Sequence, residues 1–115
     1  MFDPPLTFDL GPDIAALRDL VQGWARERLA PIAGRIDREN AFPPDLWTDL
    51  GALGLHGITV AEADGGAGMG YLAHVVALEE IARASASVAL SWGAHANLCI
   101  NQIARNGSPG QKARH

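Results

Sequence analysis

Between residues 71 and 107 the chain reads YLAHVVALEEIARASASVALSWGAHANLCINQIARNG, and hardly any side of that run is polar. It is long enough for two helices, with a joint at Ser85, Ala86 and Ser87. In residues 71–84 the apolar positions Leu72, Val75, Val76, Leu78, Ile81 and Ala82 spread over more than one stripe, and only Glu79, Glu80 and Arg83 interrupt them. In residues 87–105, Val88, Trp92, Ala96, Cys99 and Ile103 recur at helical spacing, while Leu90, Ala94 and Leu98 make a second face. A helix apolar on two sides must be covered on two sides. It therefore lies at the centre of a bundle or turns one face to a ligand or another domain.

The remaining residues must supply part of that cover. At 115 residues, 48% apolar and 19% charged, the chain is one globular domain over residues 1–115, with enough apolar residues for a core. A net charge of −4 argues against a nucleic-acid partner, which needs clustered Lys and Arg. The single cysteine, Cys99, excludes an internal disulfide framework and a cysteine-based zinc site. No apolar run reaches membrane-spanning length, and the start MFDPPLTFDLGPD is acidic where a targeting peptide is basic or acid-poor. These features predict a cytoplasmic protein that does not engage membranes.

Residues 1–10 read as an arm. A first helix starts at Pro12, with Gly11 ahead of it and Asp13 in its first turn, and Arg26 and Arg28 complement the dipole of its last turn. Ile14, Leu17, Leu20, Val21 and Trp24 give it one buried stripe. Pro31 predicts a break, because proline cannot continue the hydrogen-bond ladder, and then a short helix through Ile32 and Ile36 to about Glu39. The Phe42-Pro43-Pro44-Asp45 signal opens a third helix with Leu46, Leu50 and Leu53 inward and Gly54 as its left-handed cap. The stretch 55–60 is too short for a sheet of its own. Residues 64–70, rich in glycine, read as a flexible turn. Gly107, Ser108 and Pro109 cap and start a last helix that the chain begins and does not finish, so the sequence reads as cut short. The sum is an all-α, up-and-down bundle of about five helices.

Four stretches carry a family resemblance. They are Leu50-Gly51-Ala52-Leu53-Gly54-Leu55-His56-Gly57-Ile58, the GGAGMGY loop at residues 65–71, the HVVALEEIARASASVALS run, and NLCINQIARNG with QK after it. Together they resemble the N-terminal helical domain of the acyl-CoA dehydrogenases, in particular the isovaleryl-type branch, over essentially the whole chain from about Phe8. The departures are Asp64, where that branch has an aromatic residue, and Trp92 in place of a tyrosine. Asp64 is expected to loosen the loop ahead of Tyr71.

The resemblance implies an FAD-dependent oxidoreductase that dehydrogenates the α,β bond of a short branched acyl-CoA such as isovaleryl-CoA. A glutamate takes the α proton, the β hydrogen passes to the flavin as hydride, and an electron-transfer flavoprotein accepts the electrons. It also implies assembly into a homo-oligomer. In the family the glutamate comes from a C-terminal helical bundle, and the flavin is held mainly by that bundle and a β domain. This chain alone is therefore expected to hold no catalytic residue and to retain no flavin, and to supply one wall of the acyl pocket. By motif, Leu90 and Ala94 match the two positions of this helix that touch the acyl tail, and Ser91 lies beside them. Leu90 and Ala94 are also four apart on one helical face. A bulky wall stops long chains and an alanine leaves room for a branch methyl; a methylene of mismatch is worth only ~1–3 kcal/mol.

Other constellations read as structural. Glu79 and Arg83 have the favourable order for an i,i+4 pair, and Glu80 reads as a cap or a bridge to a neighbouring helix, not as a general base. His95 and Cys99 share metal-ligand spacing, but no further ligand is spaced to join them, and Cys99 reads as a small buried apolar residue. The glycines at 65, 66, 68 and 70 are no phosphate loop, since no strand precedes them and no Lys-Ser/Thr comes after. An alternative from a different class is a stand-alone helical interaction or scaffold module without catalytic activity.

Overall fold

A computed structural model describes residues 7–115; residues 1–6 of the expected arm lie outside the described residues. Every regular element among them is helical. The first is α1 (Pro12–Trp24), capped at Gly11 (φ 101) with Pro12 and Asp13 in its first turn as the sequence predicts. It passes without interruption through a π-helical turn, Ala25–Leu29, into α2 (Ala30–Glu39), which Asn40 ends in the left-handed conformation. The expected break at Pro31 is therefore absent.

The reason is local. In an α-helix the Pro31 ring would strike the carbonyl four residues back, at Glu27. The π turn widens the helix just upstream, and the amide of Ala30 reaches five residues back to the carbonyl of Ala25. The helix accommodates its proline by inserting a residue. Arg26 and Arg28 consequently sit inside a continuous rod and not at a C-terminus, so the dipole role expected of them does not apply. Arg28 instead pairs with Asp49 at 3.0 Å.

Next along the chain is α3 (Asp45–Ala52), with Leu46 and Leu50 buried and Gly54 (φ 77) just beyond its end. It docks on the first rod through Asp49, whose carboxylate also accepts from the Trp24 indole at 3.4 Å. Residues 53–70 form turns and one 3₁₀ turn (Glu62–Asp64). Leu55, Ile58 and Val60 of this stretch are buried. α4 (Tyr71–Ala84) and α5 (Ala86–Gly93) meet at Ser85, whose hydroxyl accepts from the amide of Val88 and so caps α5. A second π segment (Ala94–Asn101) carries α5 into α6 (Gln102–Asn106). The last element, α7 (Pro109–Arg114), starts in a capping box between Ser108 and Gln111. Counted as continuous rods, the described residues hold five, and α4 and α5 run antiparallel. A β-carbon on Gly93 would lie 3.2 Å from Leu78, and Tyr71 touches Asn101.

The buried stripe of α1 is Leu17, Arg18, Val21 and Trp24; Leu20, expected inward, is 47% exposed. Arg18 takes its place in the interior because a partner waits there. Its guanidinium donates to the fully buried Glu80 carboxylate of α4 at 2.6 Å and lies 3.6 Å from Glu79. Gln22 donates to the second Glu80 oxygen at 3.4 Å, and Arg83 lies 3.7 Å from it. Glu80 thus bridges two helices as its sequence context predicts. Arg83, expected to pair with Glu79, also reaches this network through Glu80.

Removing one partner strands the other charge in the interior, which costs about 3–5 kcal/mol. Arg18→Ala and Glu80→Ala should each lower the urea-unfolding free energy by roughly that much. Replacing both together with apolar residues of similar volume should recover most of the loss.

Candidate functional site

The second apolar face of the long helix pair is where the chain turns outward. Leu90 is 76% exposed and Leu98 70%, and Ala94 between them is exposed too. Ser91 is half-buried and faces a groove of about 270 Å³ that it shares with Ser87, Ile36, Asp37, Asn40 and Phe42. The three expected site residues therefore lie on one rod, but Leu90 and Ala94 point away from the bundle while Ser91 turns toward the end of α2. On α4, Leu72 and Val75 are exposed as well. Both helices cover one apolar face with the bundle and leave one open.

The rod is held rigidly from behind. Val88, Trp92 and Ala96 are buried, and Trp92 stacks on the imidazole of His74 at 4.7 Å and 24°. Next to Ala94, His95 meets Trp47 edge-on at 5.1 Å and His56 at 5.1 Å, 90° between planes. Trp47 in turn stacks on Phe42 at 4.7 Å, and its carbonyl lies 2.9 Å from Nε2 of His56. This aromatic cluster ties the turn after α3 to the beginning of the second π segment. Beyond it, Asn101 is buried and bonded to Thr59, Tyr71 and Asn97.

Cys99 departs from its expected place: it is exposed, and Asn101 occupies the interior instead. The π segment inserts one residue, which carries Cys99 out of the stripe that a uniform α-helix would have given it. His95 accordingly faces aromatic rings and not the thiol. Among the described residues no three His, Cys, Asp or Glu side chains converge on a metal position.

The glycine-rich stretch is likewise committed, and it is not the flexible turn expected. The amides of Gly66, Ala67, Gly68 and Met69 donate to the carbonyls of Ala61, Gly57, Val60 and Ile58 at 2.8–3.0 Å. The Asp64 amide donates to the Ala61 carbonyl at 3.0 Å. A β-carbon on Gly66 would collide with the Val60 carbonyl, so glycine is required there by close approach. Those four amides are turned to backbone carbonyls and are not offered to a phosphate.

Two imidazoles titrate below their ordinary value of 6.5. His74 does so because burial disfavours its charged form, and His95 because of burial and then of the charge on His56. Tyr71 also titrates below its ordinary 10.0, first because Asn101 donates to its oxygen and also because Arg105 does.

Residues 11–115 match the acyl-CoA dehydrogenase N-terminal domain, and the chain belongs to that family. The isovaleryl-CoA dehydrogenase of Arabidopsis thaliana is 54% identical over 100 residues, 85% of this chain and 24% of that protein. The 2-methylacyl-CoA dehydrogenase of Solanum tuberosum is 50% identical over the same shares. Both are named as mitochondrial enzymes. Among solved structures, butyryl-CoA dehydrogenase from Megasphaera elsdenii superposes with a TM-score of 0.83 at 29% identity, over 98% of this chain and 29% of its own. The chain thus spans about a quarter of the length of the curated relatives it matches. No helix among the described residues is long and apolar enough to cross a membrane.

Gly66→Ala should destabilise the fold by about 3 kcal/mol, the upper end of the overpacking range, because the obstacle is backbone and cannot rotate away. For His74 the sign follows from its depressed value: the unfolded chain binds the proton at higher pH than the folded one. Stability should therefore fall as the pH drops through 6.5 and level off below the folded value. Urea midpoints at neutral and acid pH, compared between the parent and His74→Phe, measure its share of that slope.

Proposed function

We propose that this chain supplies the N-terminal wall of the acyl pocket in an FAD-dependent dehydrogenase of short branched acyl-CoA thioesters, isovaleryl-CoA foremost. The observation that supports it is the outward stripe of Leu90 and Ala94 on a rod anchored from behind by Trp92 and His95. An uncharged, preorganised apolar ledge suits the hydrocarbon end of a thioester and offers nothing to its phosphates. Leucine limits chain length and Ala94 leaves a notch for a branch methyl. Ser91 borders the ledge and adds a hydroxyl at its edge.

The role of these residues is to bind and orient. They hold the acyl chain so that its α and β carbons are presented to groups outside these 115 residues, and they exclude water from one side of it. Proton abstraction, FAD and the docking of an electron-transfer flavoprotein belong to the remaining parts of the complete enzyme, which is read as a homo-oligomer. The 54% identity to an isovaleryl-CoA dehydrogenase favours this over a stand-alone scaffold module.

Two measurements test the reading. The purified 115-residue chain should be colourless and unable to reduce a dye with isovaleryl-CoA; a yellow, active preparation would overturn the division of labour. In a complete dehydrogenase carrying this chain as its N-terminal domain, Ala94→Leu should cut kcat/KM for isovaleryl-CoA by roughly 10–200-fold, the worth of a filled branch pocket. Straight-chain butyryl-CoA should lose much less, and equal losses would refute the wall.

A further inference from the structure

Val88, Trp92 and Ala96 set a helical register that, continued, brings Cys99 or Ile100 inward and then Ile103. The chain does otherwise. Asn101 is the residue turned into the interior, at 4% exposure, five positions after Ala96, and Ala94, Leu98 and Cys99 all face out. One inserted residue rotates the downstream part of the rod by about 100°, the angle per residue of a 3.6-residue helix. The insertion lies in the π segment Ala94–Asn101.

A π turn is uncommon because the α ladder competes with it, so something must hold it. The side chain of Asn101 is the group whose bonds require it. Its Oδ1 accepts from the Thr59 hydroxyl at 3.2 Å, and its Nδ2 donates to the Tyr71 oxygen at 3.0 Å and to Asn97 Oδ1 at 3.3 Å. Arg105 donates to the same Tyr71 oxygen at 3.1 Å, which fixes that acceptor in place. These partners come from the 53–70 turns, from the start of α4 and from the rod itself. Rewinding the segment to α would turn the amide away from Thr59 and Tyr71 and leave buried polar groups without partners.

We infer that Asn101 is a positioning residue: it holds the π segment open and thereby sets which side chains after Ala94 face outward. The inference rests on the acyl-wall reading for its functional consequence, since the same rotation places the far end of the ledge against the ligand. Asn101 itself lies inside the bundle and touches no acyl chain.

Cys99 is the only cysteine of the chain and serves as the probe, because it faces out only in the π register. In the 115-residue chain its reaction with a thiol reagent such as Ellman's should be fast. Asn101→Ala should slow it by about tenfold or more as the segment rewinds and draws Cys99 inward, protection of the order seen for groups that react only through local opening. Asn101→Asp, which can still accept from Thr59 but can no longer donate to Tyr71 or Asn97, should slow it as well. Parental reactivity in Asn101→Ala with helical circular dichroism intact would overturn the inference. Should Asn101→Ala fail to fold, Tyr71→Phe decides: it removes one anchor from outside the core and should slow labelling by about threefold on the same grounds, and an unchanged rate would equally overturn it.

In the complete dehydrogenase carrying this chain, Asn101→Ala should raise KM for isovaleryl-CoA by about tenfold with kcat within about twofold, the signature of lost uniform binding. If labelling shifts as expected but KM does not, the positioning role falls while the π register stands; a silent Ala94→Leu in the same enzyme separately removes the wall itself.

Discussion

The structure depends on a carboxylate with nowhere else to go. Glu80 is fully buried on α4, and the bundle closes around it only because Arg18 of α1 reaches it at 2.6 Å. Hydrophobic burial is not directional and would accept several rotations of α1 against α4. A buried ion pair accepts very few, since a misaligned helix leaves a charge without a partner. The pair thereby fixes the register of the two helices, with Gln22 on the same carboxylate. α5 then packs on α4 through the close approach of Gly93 to Leu78. The outward stripe inherits its direction from that chain of constraints.

Much of this was legible in the residues. The caps at Gly11, Gly54 and Ser108 stand where turn chemistry puts them, because caps are local and need only a few residues to specify, and the expected joint at Ser85 proves to be a cap as well. The two-sided apolar character of residues 71–107 correctly separates a covered face from an open one. The interhelical role of Glu80 follows from an acid set in an apolar helix. Its partner was the readable omission: Arg18 lies between Leu17 and Val21 in a stripe that is otherwise apolar, and that position was the signal.

The misreadings share a cause. Periodicity arguments assume a constant 3.6 residues per turn, and this chain breaks that assumption twice. At Ala25–Leu29 the π turn lets the helix run through Pro31, and at Ala94–Asn101 it exchanges Cys99 for Asn101 in the core. The first insertion answers to Pro31 close by, but proline alone reads equally well as a break; the second is held by contacts far along the chain, Thr59 and Tyr71 on Asn101. The cluster of Trp47, His56 and His95 and the stack of His74 on Trp92 were hidden for the same reason. For the candidate site, the position of Leu90 and Ala94 on an open face could be anticipated. The groove beside Ser91 could not, since α2 forms its other side.

The three indoles are distributed so that no two report on the same seam. Trp24 donates to Asp49 where the first rod meets α3, Trp47 lies among the histidines between α3 and the second π segment, and Trp92 sits under His74 between α4 and α5. Each has a different quencher or acceptor at its edge. Chains retaining one indole apiece would therefore give separate optical records of three junctions, and would show whether the bundle loosens seam by seam or all at once.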